Sequence, residues 1–337
     1  MGFAIIAQGI DGIIWEEIGF IILSWVISPV IAGTMAFCMF WSIRRLILRA
    51  ENSFERGLYF MPLCYCFTLG FNIFFIFYKG SGGGFVDLSV MPLWSVAVTA
   101  LGVGYLSGFL VFMALPWIRR RAVATTGERM QLIEDEKQSK LEASKASGQE
   151  TAPRFEVETF EPQTEQLFSF LQVLTACFGS FAHGANDVAN AIGPFAVVIS
   201  VYQTGSVDQE SPIPWWVLAG GGVGIVIGLA TWGHKVMATI GEDLCTVTPS
   251  RGFNIELASA ITVVVGSKLG LPLSTTHCKV GGVVGVGMAD GRSAVNWIMV
   301  LQVFGGWVIT LPIAAAVSGL VYLVLWNFIG YYIPIRS

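Results

Sequence analysis

Three polar residues, Asn186, Asp187 and Asn190, interrupt an otherwise apolar segment of the sequence. On helical spacing Asn186 and Asn190 lie four residues apart and Asp187 and Asn190 lie three apart, so the side chains share one face. If this segment crosses a membrane, an ionised carboxylate costs about 3 kcal/mol at its centre, so Asp187 needs a partner or a cavity. The pattern predicts a site for a small ion, with hydrogen bonds between adjacent helices as the alternative.

A second polar cluster, Ser274, Thr275 and Thr276, follows Pro272 in the segment GLPLSTTH. Hydroxyl side chains at such a position can cap a helix. The N-terminus of a helix also offers free N–H groups and the positive end of the helix dipole, which attract anions. The sequence therefore predicts either an anion site or a plain N-cap, and the motif alone does not choose between them.

Glu256, in the segment FNIELASA, is a third candidate, with Ser259 three residues further on. Its hard carboxylate oxygens suit a sodium ion, which the residue could bind directly or gate, and the alternative is a structural ion pair. We interpret His183 as a hydrogen-bonding residue outside the site. Lys268 and Lys279 are not assigned to a substrate.

The elements that position these residues follow from an apolar composition. Of 337 residues, 54% are hydrophobic and only 12% are charged, whereas soluble domains carry roughly 25% charged residues. Apolar stretches recur that are long enough to cross a hydrocarbon core of about 30 Å. We therefore predict an all-α polytopic membrane protein with spans near residues 18–43, 58–78, 92–118, 167–202, 215–232 and 303–328.

The segment 253–288 is apolar at both ends but is broken by GLPLSTTH at residues 270–277. Each half is too short to cross a bilayer comfortably. A non-helical polar tip at membrane depth is tolerated where protein or a water-filled cavity surrounds it. The segment therefore predicts a re-entrant helical hairpin.

Arginine clusters at Arg44, Arg45, Arg49 and residues 119–121 follow two predicted spans on the same side of the membrane. The positive-inside rule makes that side cytoplasmic and places the glycine-rich stretch 80–84 outside. Residues 122–166 are rich in Glu, Lys, Gln and Ser, which predicts a disordered cytoplasmic loop, with a short amphipathic helix near 128–141 as an addition.

Other classes of function find little support in the sequence. A formal net charge of −4 does not favour nucleic-acid binding. The sequence contains no GxxxxGK[ST], HExxH or nucleophile-elbow motif, so we predict that the protein is not an enzyme. Six cysteines without a CxxC pair and three histidines provide no spacing for a metal or for a secreted disulfide framework.

Two longer motifs resemble a known family. GANDVANAIGP at residues 184–194 and LPLSTTHCKVG at residues 271–281 resemble the signature elements of the PiT family of inorganic phosphate transporters. SWVISP, TPSRGFNIELASA and GRSAVNW extend the similarity to nearly the whole chain except the polar loop. The resemblance implies symport of inorganic phosphate with sodium by alternating access, with the plasma membrane as the default location and no cofactor beyond the coupling ion. It also implies two inverted repeats, each with a broken transmembrane helix and a re-entrant hairpin.

The same resemblance assigns roles and boundaries. Phosphate is expected to bind Asn186, Asn190, Ser274, Thr275 and Thr276, and sodium is expected to bind Asp187 and Glu256. The motif resembles the second copy in the family, so the chain is expected to be a C-terminal portion whose first repeat precedes residue 1. The expected parts are a three-helix linking segment (1–121), the cytoplasmic loop (122–166) and the second repeat (167–337).

Two alternatives stay open. A carboxylate could take up a proton in place of sodium, which would make the protein a proton-coupled phosphate symporter. A truncated product could instead sense phosphate or associate with a complete transporter without transporting. The expected partners are inorganic phosphate, sodium and the lipid bilayer, and a homo-oligomer is compatible with the sequence.

Overall fold

The fold consists of helices throughout the part of the chain that is described. A computed structural model describes residues 2–78, 91–147, 157–204, 213–238, 241 and 244–332. Its ten α-helices are α1 (Gly2–Gln8), α2 (Trp15–Ile43), α3 (Ser53–Phe77), α4 (Leu93–Ser147), α5 (Pro162–Thr204), α6 (Trp215–Gly228), α7 (His234–Ala238), α8 (Pro249–Lys268), α9 (Thr275–Asp290) and α10 (Trp297–Tyr332). The predicted all-α class is confirmed.

Six of the helical segments are long and apolar enough to cross a membrane: Trp15–Leu48, Ser53–Phe77, Leu93–Gly127, Pro162–Gln203, Trp215–Met237 and Trp297–Phe328. They coincide with the six predicted spans, and most extend a few residues beyond the predicted limits. Two of them contain a turn of π-helix: Arg44–Leu48 ends the first span after α2, and Leu229–Gly233 joins α6 to α7. Helices α8 and α9 are not among the six, as expected for the short arms of a hairpin.

Helix α4 differs from the expectation for residues 122–166, because it continues beyond the third span, Leu93–Gly127, to Ser147. Residues 122–147 are rich in Ala, Glu and Lys, which have high helix propensity. Extending an existing helix also avoids the cost of nucleation. Residues 122–147 are therefore helical and not an irregular loop, and they include the short helix predicted near 128–141. Of the rest of the predicted loop, residues 148–156 lie outside the described residues, and the whole stretch 80–84 also lies outside them.

Helix α5 also differs from the expectation, because the segment 184–194 does not break it. The helix runs from Pro162 to Thr204 with Pro194 inside it. Polar side chains in the segment contact the neighbouring hairpin (below), so the backbone can stay helical. In the described residues the interruption falls between α8 and α9 and not in α5.

The chain divides into two compact units. In the first, α1 packs on α10, and the ring of Phe3 meets that of Tyr322 edge-on at 4.7 Å. The second unit runs from Trp25 to Val295. It contains every candidate site residue and is the subject of the remaining sections.

Helices α8 and α9 form the predicted hairpin, joined by residues 269–274. Gly270 in this connection has φ = 72°, a left-handed conformation that glycine adopts without steric cost. Away from this connection, a hydrogen bond links the two arms: the Ser259 hydroxyl of α8 donates to the Cys278 carbonyl of α9 at 3.1 Å. At the open ends, Arg251 and Asp290 pair at 2.7 Å, so the chain enters and leaves the hairpin at the same place.

Glycines let the backbone of α2 lie directly against α9. A Cβ atom on Gly33 would lie 2.7 Å from the carbonyl oxygen of Gly281, and a Cβ on Gly285 would collide with the backbone of Gly33. Small residues permit this close approach between membrane helices. The contact holds α9, the second arm of the hairpin, against α2.

Candidate functional site

The candidate site lies where α5 runs parallel to α8. Contacts near the N-termini of the two helices align them. The Glu165 carboxylate of α5 accepts hydrogen bonds from the Ser250 backbone N–H at 2.8 Å and the Ser250 hydroxyl at 2.7 Å. It therefore caps the first turn of α8, where a negative charge is favourable. One turn further, Phe168 packs on Phe253 with ring centroids 5.8 Å apart. This pairing places the polar face of α5 beside α8 and the hairpin tip.

Asp187 meets the start of α9 at the hairpin tip. The Thr275 hydroxyl lies 3.0 and 3.1 Å from the two carboxylate oxygens of Asp187. His183, one turn earlier in α5, contacts the same carboxylate through Nε2. The Asp187 side chain is 32% exposed, so it is partly open while it is held from two sides.

Asn186 and Asn190 continue the polar face of α5. The Asn186 side-chain amide donates to the Ser267 hydroxyl near the end of α8 at 3.0 Å, and the Asn190 amide donates to the Asn186 oxygen at 3.0 Å. Asn190 is exposed. We use the name tip cluster for Asn186, Asp187, Asn190, Ser267 and Thr275.

The three hydroxyl residues predicted as a unit have different positions. Ser274 is the N-cap of α9, and its hydroxyl accepts from the His277 N–H at 3.4 Å. Thr275 contacts Asp187, whereas Thr276 is exposed and outside this set of hydrogen bonds. The predicted cap is thus present at Ser274, and Thr275 is the hydroxyl that reaches α5.

Glu256 lies deeper along α8, apart from the tip cluster. It pairs with Lys279 of α9, and its carboxylate approaches Gly179 of α5, where a Cβ would lie 2.7 Å from Oε2. Gly179 precedes Asp187 by about two turns, or about 12 Å along the helix. Glu256 therefore forms the structural ion pair that the sequence analysis gave as the alternative to sodium binding. Its partner is Lys279, to which the sequence analysis assigned no substrate.

The tip cluster combines two chemistries. Carboxylate, amide and hydroxyl oxygens are hard ligands that suit a small cation. The amide groups of the asparagines and the N-terminus of α9 suit an anion. Within the described residues, no group of three or more His, Cys, Asp and Glu side chains is arranged to hold a metal ion.

Sequence reasoning missed His183, Ser267 and Lys279 as neighbours of the candidate residues. A signal existed for His183, because its spacing of four residues from Asp187 places both on one helical face. Ser267 and Lys279 belong to other helices. Their contacts depend on the packing of the hairpin against α5, which local spacing does not reveal.

At the open end of the hairpin, a second group of charges is buried. Arg251, with a fully buried side chain, donates to Asp290 at 2.7 Å, to the Thr248 hydroxyl at 3.0 Å and to the Glu158 carbonyl at 2.8 Å. Its guanidinium lies over the rings of Phe40 and Phe160, at 5.4 and 5.5 Å. Arg44 donates to the other Asp290 oxygen at 3.1 Å. We call Arg44, Glu158, Arg251 and Asp290 the base cluster.

Glu158 connects this cluster to the surface. Its carboxylate accepts two hydrogen bonds of 2.8 Å from Arg49. The hydrogen bond from Arg49 and the charges of Arg49, Arg44 and Arg251 lower the pKa of Glu158. The same hydrogen bond raises the pKa of Arg49.

Comparisons with known proteins agree with this architecture. The model of the phosphate transporter family matches residues 1–318. Sodium-dependent phosphate transporter 1-B of Danio rerio is 54% identical over 169 residues, which are 50% of this chain and 25% of that protein. Sodium-dependent phosphate transporter 2 of Homo sapiens is 28% identical over an alignment of 532 residues, covering 98% of this chain and 81% of that protein.

A solved structure described as the sodium-dependent phosphate transporter has a TM-score of 0.74 and 34% identity. The match covers 96% of this chain and 70% of that one. Together with the six apolar helices, the family match shows a multi-pass membrane protein. The chain belongs to the phosphate transporter family.

Proposed function

We propose that the protein carries inorganic phosphate across a membrane together with sodium, by alternating access. The observation that carries the proposal is the contact between Thr275 and both carboxylate oxygens of Asp187. It joins a helix N-terminus, which attracts anions, to a carboxylate, which attracts cations. The names of the similar transporters, all sodium-dependent phosphate transporters, support the same substrate and coupling ion.

In this proposal the tip cluster binds both ions. Asp187 holds sodium, and phosphate accepts hydrogen bonds from Asn186, Asn190, Ser274, Thr275 and Thr276. Sodium neutralises the Asp187 carboxylate before or as phosphate arrives, because two anions side by side would repel each other at this depth. The exposed positions of Asn190 and Thr276 leave their polar groups open to a ligand.

Glu256 serves as a second sodium ligand in the proposal, but its ion pair with Lys279 must break before sodium can bind. Lys279 now neutralises this carboxylate. Sodium can bind Glu256 only in exchange for the lysine ammonium. Glu256 is therefore the ligand that we expect to rearrange during the transport cycle.

We further propose that residues 167–337 form the second of two inverted repeats, and that the first repeat completes the site from the opposite side. Transporters of this kind bind substrate between repeats near the middle of the bilayer. The arginine clusters and residues 122–166 face the cytoplasm of a plasma-membrane protein in this arrangement. An epitope inserted next to Ser147 tests the orientation, because antibody labelling of intact cells would contradict it.

Ion replacement tests the coupling. Uptake of radiolabelled phosphate by cells expressing the chain is measured in sodium medium and in choline medium at the same pH. Sodium coupling predicts that uptake above the background of untransfected cells disappears in choline. Uptake unchanged in choline would reject sodium as the coupling ion, and no uptake in either medium would favour the non-transporting alternative.

One contact favours proton coupling as a second candidate. His183 adjoins Asp187, and a histidine next to a carboxylate can exchange protons near neutral pH. Proton coupling predicts that uptake in choline medium rises as the external pH falls. His183→Gln would remove that pH dependence and leave a sodium-driven mechanism largely intact.

A further inference from the structure

A groove of about 960 Å³ lies between the end of α2, the first half of α3 and one face of α8. Apolar side chains form most of its wall, among them Met39, Ile43, Phe60, Leu63 and Phe67. It contains none of the residues of the tip cluster. The groove is therefore a separate feature from the proposed transport site.

The polar residues of the groove are concentrated at one end. Asn52, Glu55 and Arg56 lie where α3 begins, close to the arginine-rich end of α2. From there to Phe67 the groove follows α3 for about 22 Å at a rise of 1.5 Å per residue. This length corresponds to somewhat more than one leaflet of a hydrocarbon core of about 30 Å.

The charges at the polar end favour an anion. Glu55 is paired with Arg119 of α4. Arg56 is exposed, and its hydrogen bonds go to neutral groups, the Asn52 side-chain oxygen at 3.0 Å and the Leu46 carbonyl at 2.8 Å. Its positive charge is thus available to a negative group at the groove entrance.

We infer that this groove binds an anionic phospholipid, with the headgroup phosphate at Arg56 and an acyl chain along α3. A molecule that is anionic at one end and apolar for the length of one leaflet matches both parts of the groove. The positive-inside orientation places Arg56 at the cytoplasmic leaflet, where anionic lipids are concentrated. Juxtamembrane arginines bind such headgroups.

The acyl chain would also touch the hairpin. Phe253 and Leu257 of α8 line the groove and flank Glu256 in the sequence. The groove and the Glu256–Lys279 pair therefore share the same two turns of α8. A bound lipid supports the hairpin arm that carries a proposed sodium ligand.

Spin-labelled lipids test the inference on the full chain in phosphatidylcholine nanodiscs. The association of labelled phosphatidylserine is compared with that of labelled phosphatidylcholine. We expect a preference for phosphatidylserine that falls about fivefold in Arg56→Gln, the factor that corresponds to the loss of one hydrogen-bonded contact with the headgroup phosphate. Arg45→Gln is the matched control, because Arg45 lies at the same end, stacked on Trp41 and outside the groove.

A second pair of variants tests the apolar part. Leu63→Trp should reduce the amount of immobilised lipid for both headgroups, whereas Leu101→Trp, at an exposed position of α4 outside the groove, should not. An unchanged phosphatidylserine preference in Arg56→Gln would overturn the inference. Release of the lipid by millimolar inorganic phosphate would also overturn it, because Arg56 would then be a site for the free anion. The inference would equally fail if another polypeptide segment filled the groove and excluded labelled lipid.

Binding is measured here without transport, so the result is independent of the proposed function. Failure of the lipid experiment would leave sodium-coupled uptake untouched. Failure of uptake would equally leave the lipid site in place.

Discussion

The two ends of the α8–α9 hairpin hold their charges in different ways. In the base cluster Arg251 has a fully buried side chain, that of Asp290 is 2% exposed, and three acceptors and two aromatic rings surround the guanidinium. In the tip cluster the Asp187 side chain is 32% exposed. Its partners are the Thr275 hydroxyl and His183. The base has its charge compensated within the protein, whereas the tip keeps polar groups that a ligand can use.

This difference separates two roles that buried charges have in membrane proteins. A fully compensated pair fixes the position of an element and has no capacity left for a ligand. A partly exposed carboxylate whose partners are a hydroxyl and a histidine can exchange them for an ion. We therefore propose that the base anchors the hairpin and that the tip binds the ligand, and the following predictions examine that division.

The largest effect is expected from Arg251→Met. The change leaves Asp290 buried with only Arg44 as a cationic partner, and breaking a buried pair costs about 3–5 kcal/mol. Thermal unfolding of detergent-purified protein should show a large loss of stability, with lower expression. Arg49→Gln is the control, since Arg49 is exposed and should change the melting temperature little. Equal melting temperatures for Arg251→Met and wild type would remove the anchor role.

Asp187→Asn should abolish function while preserving stability, in contrast to Arg251→Met. It keeps the shape and the hydrogen bond to Thr275 but removes the charge proposed to hold sodium. Sodium-driven phosphate uptake should disappear while surface expression, measured by biotinylation, stays normal. Glu16→Gln, at an exposed position far along the sequence, is the matched charge change. Normal sodium dependence in Asp187→Asn would reduce the tip to a structural contact.

Thr275→Val should give a smaller loss, because it removes one hydrogen bond to a charged group, worth about 1.5–3 kcal/mol. We expect uptake to fall about tenfold or more. Thr275→Ser retains the hydroxyl and should restore most of the activity. Thr276→Val distinguishes a second ligand from a bystander, since Thr276 is exposed and Ser274 already provides the cap. If Thr275→Val transports like wild type, the contact with Asp187 is not needed for binding.

The smallest effect concerns Glu158, at the exposed edge of the base cluster. Its pKa is lowered from the ordinary value of 4.5, mainly by the hydrogen bond from Arg49. A lowered pKa in the folded state means that the ionised group stabilises the protein above pH 4.5 and loses this contribution as the pH falls through the folded-state pKa. The difference in melting temperature between wild type and Glu158→Gln should thus be largest at neutral pH and shrink below about pH 4.5. A constant difference down to pH 3 would contradict the assignment.

The spans and the hairpin were predictable because their signals are local. Apolar length predicts a membrane helix, and the run GLPLSTTH predicts the interruption between α8 and α9. The unbroken course of α5 was not predicted, and the helical extension of α4 was predicted only as a short separate helix near 128–141. The first depends on contacts from the hairpin to Asn186 and Asp187, and the second on helix propensity continuing beyond the membrane.

The site was predictable in part. The residue types of the tip cluster stand out in an apolar sequence, and Thr275 was correctly placed at the start of a helix. The base cluster was not recognised, because Arg44 lies 246 residues from Asp290 in the sequence. From the sequence alone, Arg44 indicated only which end of the span faces the cytoplasm. The groove beside α3 has no sequence signature, since three separate segments form it.

The Glu256–Lys279 pair has a consequence for the way the protein is made. Neither arm of the hairpin is among the helices long and apolar enough to cross a membrane, and each carries a charge that is costly in lipid until the other arm is present. When α8 leaves the ribosome, Lys279 follows it in the exit tunnel and is not yet free to pair with Glu256. We therefore expect the hairpin to wait at the cytoplasmic surface and to insert late, as a neutralised unit, into a gap already lined by α2 and α5.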